Sequence, residues 1–212
     1  MTQAIREPWG LSVFGAGSVQ REPQVARVKL AVDLLAPTPD EAFKRAGTAV
    51  KQLRDTVRRH GIPDAAVSGS RLSLTSSYEG YGADRKFLGY RCQASYTVEA
   101  SALHDLQQLI VDAVDAGANH VEEVVFDVHD KPALRDEARR LAVAAARRKA
   151  EVYAEAAGAG LGPVIHLQDV DPETLGVRSH GRLISGEGVD GDLAPGLVEI
   201  AAAVLVGYSL TP

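Results

Sequence analysis

Glu123, Asp127, His129 and Asp130 crowd into one short stretch, and their side-chain types are those that ligate a divalent metal. On an extended strand, however, Glu123 and Asp127 stand about 13 Å apart, too far to share one ion. Only Asp127 and His129 remain as near neighbours on one face, so a solvated strand face is the preferred reading over a metal site. Cys92, the single cysteine, would be peroxide-reactive if exposed beside positive charge. It shares a strand face with Tyr90, Ala94 and Tyr96, which points instead to a small buried hydrophobe. Gly15-Ala16-Gly17 begins like a dinucleotide fingerprint but lacks the third glycine and lies between strands; small residues in a crowded strand explain it better.

Arg139, Arg140, Arg147, Arg148 and Lys149 form a basic run. Asp136, Glu137 and Glu151 lie one helical turn away, so an ion-paired, solvated helix face is expected rather than an anion site. His60 and His104 fall on helices and His166 in a strand, none within an acid/base pattern, and no serine has a triad context. No catalytic residue, cofactor-binding residue or metal ligand is assigned, and no cofactor is expected.

The elements that must position these residues are legible. Trp9 to Val19 reads as a strand, and Ala26 to Leu34 alternates apolar and charged residues as a second. The short polar link Gln20 to Pro23 predicts an antiparallel hairpin between them. Thr38, Pro39 and Glu41 form a helix start with a capping box, followed by the apolar stripe Ala42, Ala46, Ala49, Val50, Leu53 and Val57 and a stop at Gly61-Ile62-Pro63. A third strand covers Val67 to Tyr78, then a polar loop Glu79 to Lys86. In the fourth strand Leu88, Tyr90, Cys92, Ala94, Tyr96 and Val98 should face inward. A second helix carries Leu103, Leu106, Ile110 and Ala113 and closes at Gly117.

The stretch Val121 to Gly162 organises the rest: a strand leads into an alanine-rich helix begun by Pro132 and ended by Gly158, of roughly 27 residues and about 40 Å. Leu134, Ala138, Leu141, Ala142, Ala145, Val152 and Ala156 are its predicted buried stripe. Gly162 to Val170 and Val198 to Leu210 read as the last strands. The outer face of the final strand, Ala201, Ala203, Leu205 and Gly207, is small and apolar, as though something covers it. Between these strands, Asp171 to Gly196 is polar and glycine-rich, too long for an ordinary connection, and so functional, disordered or ordered by a partner. Three helices and seven strands, most of them one-sided, predict an α+β, two-layer fold, with a mainly antiparallel sheet of about seven strands and the helices on one face.

The chain has 212 residues, 45% of them hydrophobic, enough for a core that needs no staple. A net charge of -5 argues against a general nucleic-acid or anionic-membrane binder. One cysteine cannot form an intramolecular disulfide or a cysteine-based zinc site. The N-terminal residues show no secretory signal and no segment has the length of a membrane span, so a cytoplasmic location is expected.

In order along nearly the whole chain come VFGAGSV with Pro23 soon after, DEAF followed by HGIP, GYRCQASYTVE, DAGANHVEEVVFDVHD, LRDEARRLAVAAARRKAEVYAEAAGAGLG and EIAAAVLVGYSL. With these motifs the chain resembles the SIMPL-domain family. That family includes bacterial periplasmic immunogenic and oxidative-stress-defence proteins and an animal adaptor of a pelle-like kinase. The resemblance implies one α+β SIMPL domain over 1–212, a tendency to self-associate, and links to stress defence without an agreed activity. It carries no catalytic motif across.

The resulting expectation is a non-enzymatic, self-associating binding or scaffold module, a homo-oligomer in a stress-related role. The alternative is a small-molecule-binding protein or enzyme with 171–196 as a lid. A kinase-pathway adaptor rests on distant analogy alone.

Overall fold

The computed structural model describes residues 10–80, 82, 85–171 and 196–212. In chain order the elements are β1 (Gly10–Arg21), β2 (Val25–Ala36), α1 (Pro39–Arg59), β3 (Val67–Glu79), β4 (Lys86–Ala100), α2 (Leu106–Asp115), β5 (His120–Asp127), α3 (Lys131–Ala156), β6 (Gly160–Val170) and β7 (Val198–Thr211). The α+β class and the antiparallel pairing are as expected. The seven strands among the described residues nevertheless form two sheets, ordered β1-β7-β6 and β3-β4-β2-β5, instead of one. The described chain divides into two compact units accordingly: residues 23–127 hold the four-stranded sheet, and residues 10–22, 128–171 and 196–212 hold the three-stranded one.

The expected β1–β2 hairpin does not form. β1 pairs with β7 over its whole length, from Gly10↔Ser209 to Arg21↔Val198, while β2 pairs with β4 and β5. A short link permits a hairpin but does not compel one. Gly15 and Gly17 suit β1 to a position under a helix. A β-carbon added at Gly15 would stand 2.1 Å from the Ala142 carbonyl oxygen, and one at Gly17 would stand 2.6 Å from the Ala142 nitrogen.

That close approach also decides which face of α3 is buried. Ala138, Ala142, Ala146, Ala150 and Ala154 are buried at a strict spacing of four, whereas Leu141, Val152 and Ala156 from the expected stripe are exposed and Ala145 is half-buried. Larger side chains on the sheet side would hold the helix off β1. Five buried methyl groups contribute only about 4 kcal/mol by transfer, so the contact depends on tight fit more than on bulk. Val13, Val204, Val206 and Tyr208 complete this core. Asp130 caps the helix, its Oδ1 accepting from the Ala133 amide at 3.2 Å. The outward face of β7 is not an open patch: Ala203 and Gly207 are buried and Ala201 and Leu205 half-buried.

In the residue 23–127 unit, α1 and α2 cover one face of the four-stranded sheet. Ala26, Val28, Leu30, Val98 and Ala100 pack with Leu53, Val57, Leu106 and Leu109, and Val32, Ala36 and Cys92 pack with Ala42, Ala46 and Ala49. Thr38 caps α1 as expected, accepting from the Glu41 amide at 3.3 Å. β4 alternates as read except at Leu88, which is 41% exposed. There the pairing slips, Ser77 facing Gly89 and Tyr78 facing Phe87, and Gly89 takes φ +135°, so Leu88 bulges out of the ladder.

Candidate functional site

Several of the residues read as candidates for chemistry are engaged in structural work. β5 ends at Asp127, so His129 does not continue its face. The Asp127 carboxylate is buried and bound by Arg27, and Asp130 caps α3. Among the described residues, no group of three or more His, Cys, Asp or Glu side chains is placed to hold a metal ion. Cys92 is wholly buried, and burial, with a smaller push from Asp33, raises its thiol pKa. Within the basic run, Arg139 pairs with Asp136 at 3.0 Å and Arg147 with Glu151 at 2.9 Å as expected, Lys149 donates to the Phe14 carbonyl at 2.9 Å, and Glu137 pairs with Arg21 instead. His60 meets Asp112 at 2.8 Å, exposed His104 lies beside Asp105, and His166 is exposed on β6.

That His60–Asp112 contact borders an open cleft between α1 and α2, about 520 Å³ in volume and lined by Gln52, Asp55, Thr56, Arg59, Asp112 and Asp115. Its polar groups largely satisfy one another. Arg59 donates to Thr56 at 2.9 Å, and Gln108 and His60 hold the Asp112 carboxyl below its ordinary pKa. Such an arrangement ties the two helices together.

Pairing in the four-stranded sheet creates two surfaces that periodicity alone does not reveal. The first is the face turned away from the helices. There Arg27 bridges Glu99 on β4 and Asp127 on β5, and Lys29 meets Glu122 at 2.7 Å. Asp33 is held on several sides: Asn119 accepts from its amide at 2.8 Å and donates to its carbonyl at 2.6 Å, Gln93 donates to Oδ2 at 2.8 Å, and Arg91 lies 3.3 Å from Oδ1. Beside it is a depression of about 240 Å³ whose lining includes Ala31, Asp33, Ser73, Gln93, Ser95, His120 and Glu122. The sequence reading missed this cluster because its members lie on four strands. The available signal was the run of outward polar positions at alternate residues of β2 and β4, which shows a wet face but not which groups meet across it.

The second surface is the β3 edge, beside which no further strand lies among the described residues. β3, 13 residues long, ends the sheet order. Leu72 pairs with Ala94 and Leu74 with Cys92, on the side covered by α1 further in, yet the two leucines are 57% and 41% exposed. Toward the hairpin end, Tyr78 and Phe87 stack edge to face at 5.3 Å and Phe87 meets Tyr90 at 5.4 Å, with Tyr78 and Phe87 again largely exposed.

Residues 11–208 match the model of the SIMPL family, described as a protein of unknown function (DUF541). The chain belongs to the SIMPL family. The match runs across both compact units. Among relatives, the 26 kDa periplasmic immunogenic protein of Brucella melitensis biotype 1 is 30% identical over 175 residues, 79% of this chain and 69% of that protein. The uncharacterized protein YggE of Edwardsiella ictaluri is 30% identical over 179 residues, covering 81% and 74% of the two chains. YggE of Escherichia coli K12 is 26% identical over 165 residues, 76% and 67% of the two. The expectation of a cytoplasmic location finds no support in these SIMPL-family relatives, one of which is named periplasmic. Among the described residues no helix is long and apolar enough to cross a membrane. The lid expected over 171–196 falls on residues 172–195, which lie outside the described residues.

Proposed function

We propose that this SIMPL-family chain is a non-enzymatic binding module that self-associates through the β3 edge. The observation that carries this reading is the long terminal strand of the four-stranded sheet, with Leu72, Leu74 and Tyr78 exposed along it. A free strand edge presents a row of unpaired backbone donors and acceptors, and soluble proteins ordinarily blunt such edges with charge, proline or a covering element. Leu72 and Leu74 present apolar surface there, and Tyr78 lies under the Arg85 guanidinium at 4.1 Å, a combination that favours edge-to-edge pairing with a second copy. Light scattering at about micromolar concentration tests this, given the affinities such interfaces reach. The expected result is an oligomer that Leu72→Asp with Leu74→Asp converts to monomer with its circular dichroism intact; a strictly monomeric wild type overturns the proposal.

The name of the Brucella relative favours an envelope location for this chain, which fractionation of the native host would test. The stress-related role does not run through thiol chemistry at Cys92, whose sulfur is buried. Peroxide sensitivity of a deletion strain, rescued equally by wild type and Cys92→Ala, is the expected outcome.

A further inference from the structure

We infer that the depression on the outward face of the four-stranded sheet is a binding site for a small neutral polyol, of the size of one sugar ring. Its position follows from the register. Ser73, Gln93 and Asp33 lie in one cross-strand row, and Ser95, Ala31 and His120 lie in the next. Small side chains at Ala31 and Ser95 therefore form a low floor among longer polar ones. The resulting volume, about 240 Å³, lies below the roughly 300–1,000 Å³ of pockets that take drug-sized ligands.

Asp33 is the fixed point of the site. Its backbone N–H and C=O are both held by the Asn119 side chain and its carboxylate is held by Gln93 and Arg91, so it is oriented before any ligand arrives. His120 Nε2 stands 3.9 Å from Asp33 Oδ2. That separation is too long for a hydrogen bond, yet one oxygen atom placed between the two groups lies within hydrogen-bonding reach of both. A hydroxyl suits the position because it donates to the carboxylate while accepting from the imidazole. Gln93, whose amide nitrogen is committed to Asp33, keeps its carbonyl oxygen as an acceptor, and the Ser73 hydroxyl can act either way.

Charge decides the ligand class. Asp33 is offset by Arg91 at 3.3 Å and Glu122 by Lys29 at 2.7 Å, so the wall offers no uncompensated carboxylate to a cation. An anion would meet those two carboxylates. A neutral molecule with several hydroxyls matches the mixture of donors and acceptors, and its C–H face can rest on the Ala31 methyl.

Saturation-transfer difference NMR of the full chain with D-glucose and myo-inositol tests the site, with ethylammonium as the cationic control; the method tolerates any assembly size. The expected result is saturable transfer with a dissociation constant on the order of millimolar, ordinary for a dozen heavy atoms. His120→Ala, at a position 57% exposed, should weaken it about tenfold with an unchanged melting temperature, and Asp33→Asn should do the same or more. Absence of saturable transfer from either polyol overturns the inference. So does equal transfer in wild type and His120→Ala, or tighter binding of ethylammonium than of both polyols. If a variant fails to fold, the wild-type titration against ethylammonium still decides.

Discussion

Gly15 lies so close to α3 that a β-carbon built on it would stand 2.1 Å from the carbonyl oxygen of Ala142 and 2.7 Å from the amide nitrogen of Ala146. Those are backbone atoms, so no side-chain rotation relieves the overlap. Gly15→Ala should cost about 3 kcal/mol, at the upper end for overpacked cores, read as a lower urea midpoint. Gly47 on α1 is the control, since a β-carbon there meets nothing within 4 Å. Gly47→Ala should stabilise by about 0.5–1 kcal/mol by restricting the unfolded chain.

Arg27 joins three strands, bonding Glu99 on β4 through Nε at 3.0 Å and the buried Asp127 on β5 through Nη1. The Asp127 bond, opposed by desolvation and supported by Glu99, raises the Arg27 pKa. Arg27 is itself 43% exposed, which tempers the pair. Arg27→Ala should therefore destabilise by about 1–3 kcal/mol, and Arg27→Lys should recover only part, because an ammonium lacks the two-pronged geometry. Denaturant titration of the three proteins checks this.

Cys92 packs with Val32, Ala42 and Ala46 on the helix side of β4, and burial raises its thiol pKa. Ellman's reagent should label the native protein slowly and the urea-unfolded protein fast. Cys92→Ser, which places a hydroxyl in that apolar setting, should lose about 1–3 kcal/mol, whereas Cys92→Ala should lose less. Rapid native labelling would contradict the buried placement.

Acid should weaken the residue 23–127 unit through two carboxyls. Arg58 holds Asp64 below its ordinary pKa, and Gln108 with His60 does the same for Asp112. A carboxyl with a depressed folded-state pKa stabilises the fold above its unfolded value and loses that contribution as pH falls through the folded one. The melting temperature should thus fall between about pH 5 and about pH 2, and Asp64→Asn with Asp112→Asn should flatten that slope. An unchanged slope in the double variant would remove these two groups as its source.

Local grammar was readable without coordinates wherever neighbours in sequence are also neighbours in space. Thr38 and Pro39 start α1, Pro132 and Gly158 bracket α3, and the alternation of β4 buries Cys92, because capping, helical period and strand pleat are properties of a few adjacent residues. Family membership was legible for a similar reason, since the motifs stand in order along one line of text. Tertiary structure alone decided which strands pair. β1 leaves β2 for β7, nearly 190 residues away, because Gly15 and Gly17 admit an alanine-faced helix, and a short link records only what the chain permits. The same long-range pairing set the buried row of α3 at Ala138, Ala142, Ala146, Ala150 and Ala154 in place of the row containing Leu141. It also brought Asp33, Ser73, Gln93 and His120 around one depression, because a cross-strand register joins residues whose separation along the chain carries no mark of their contact.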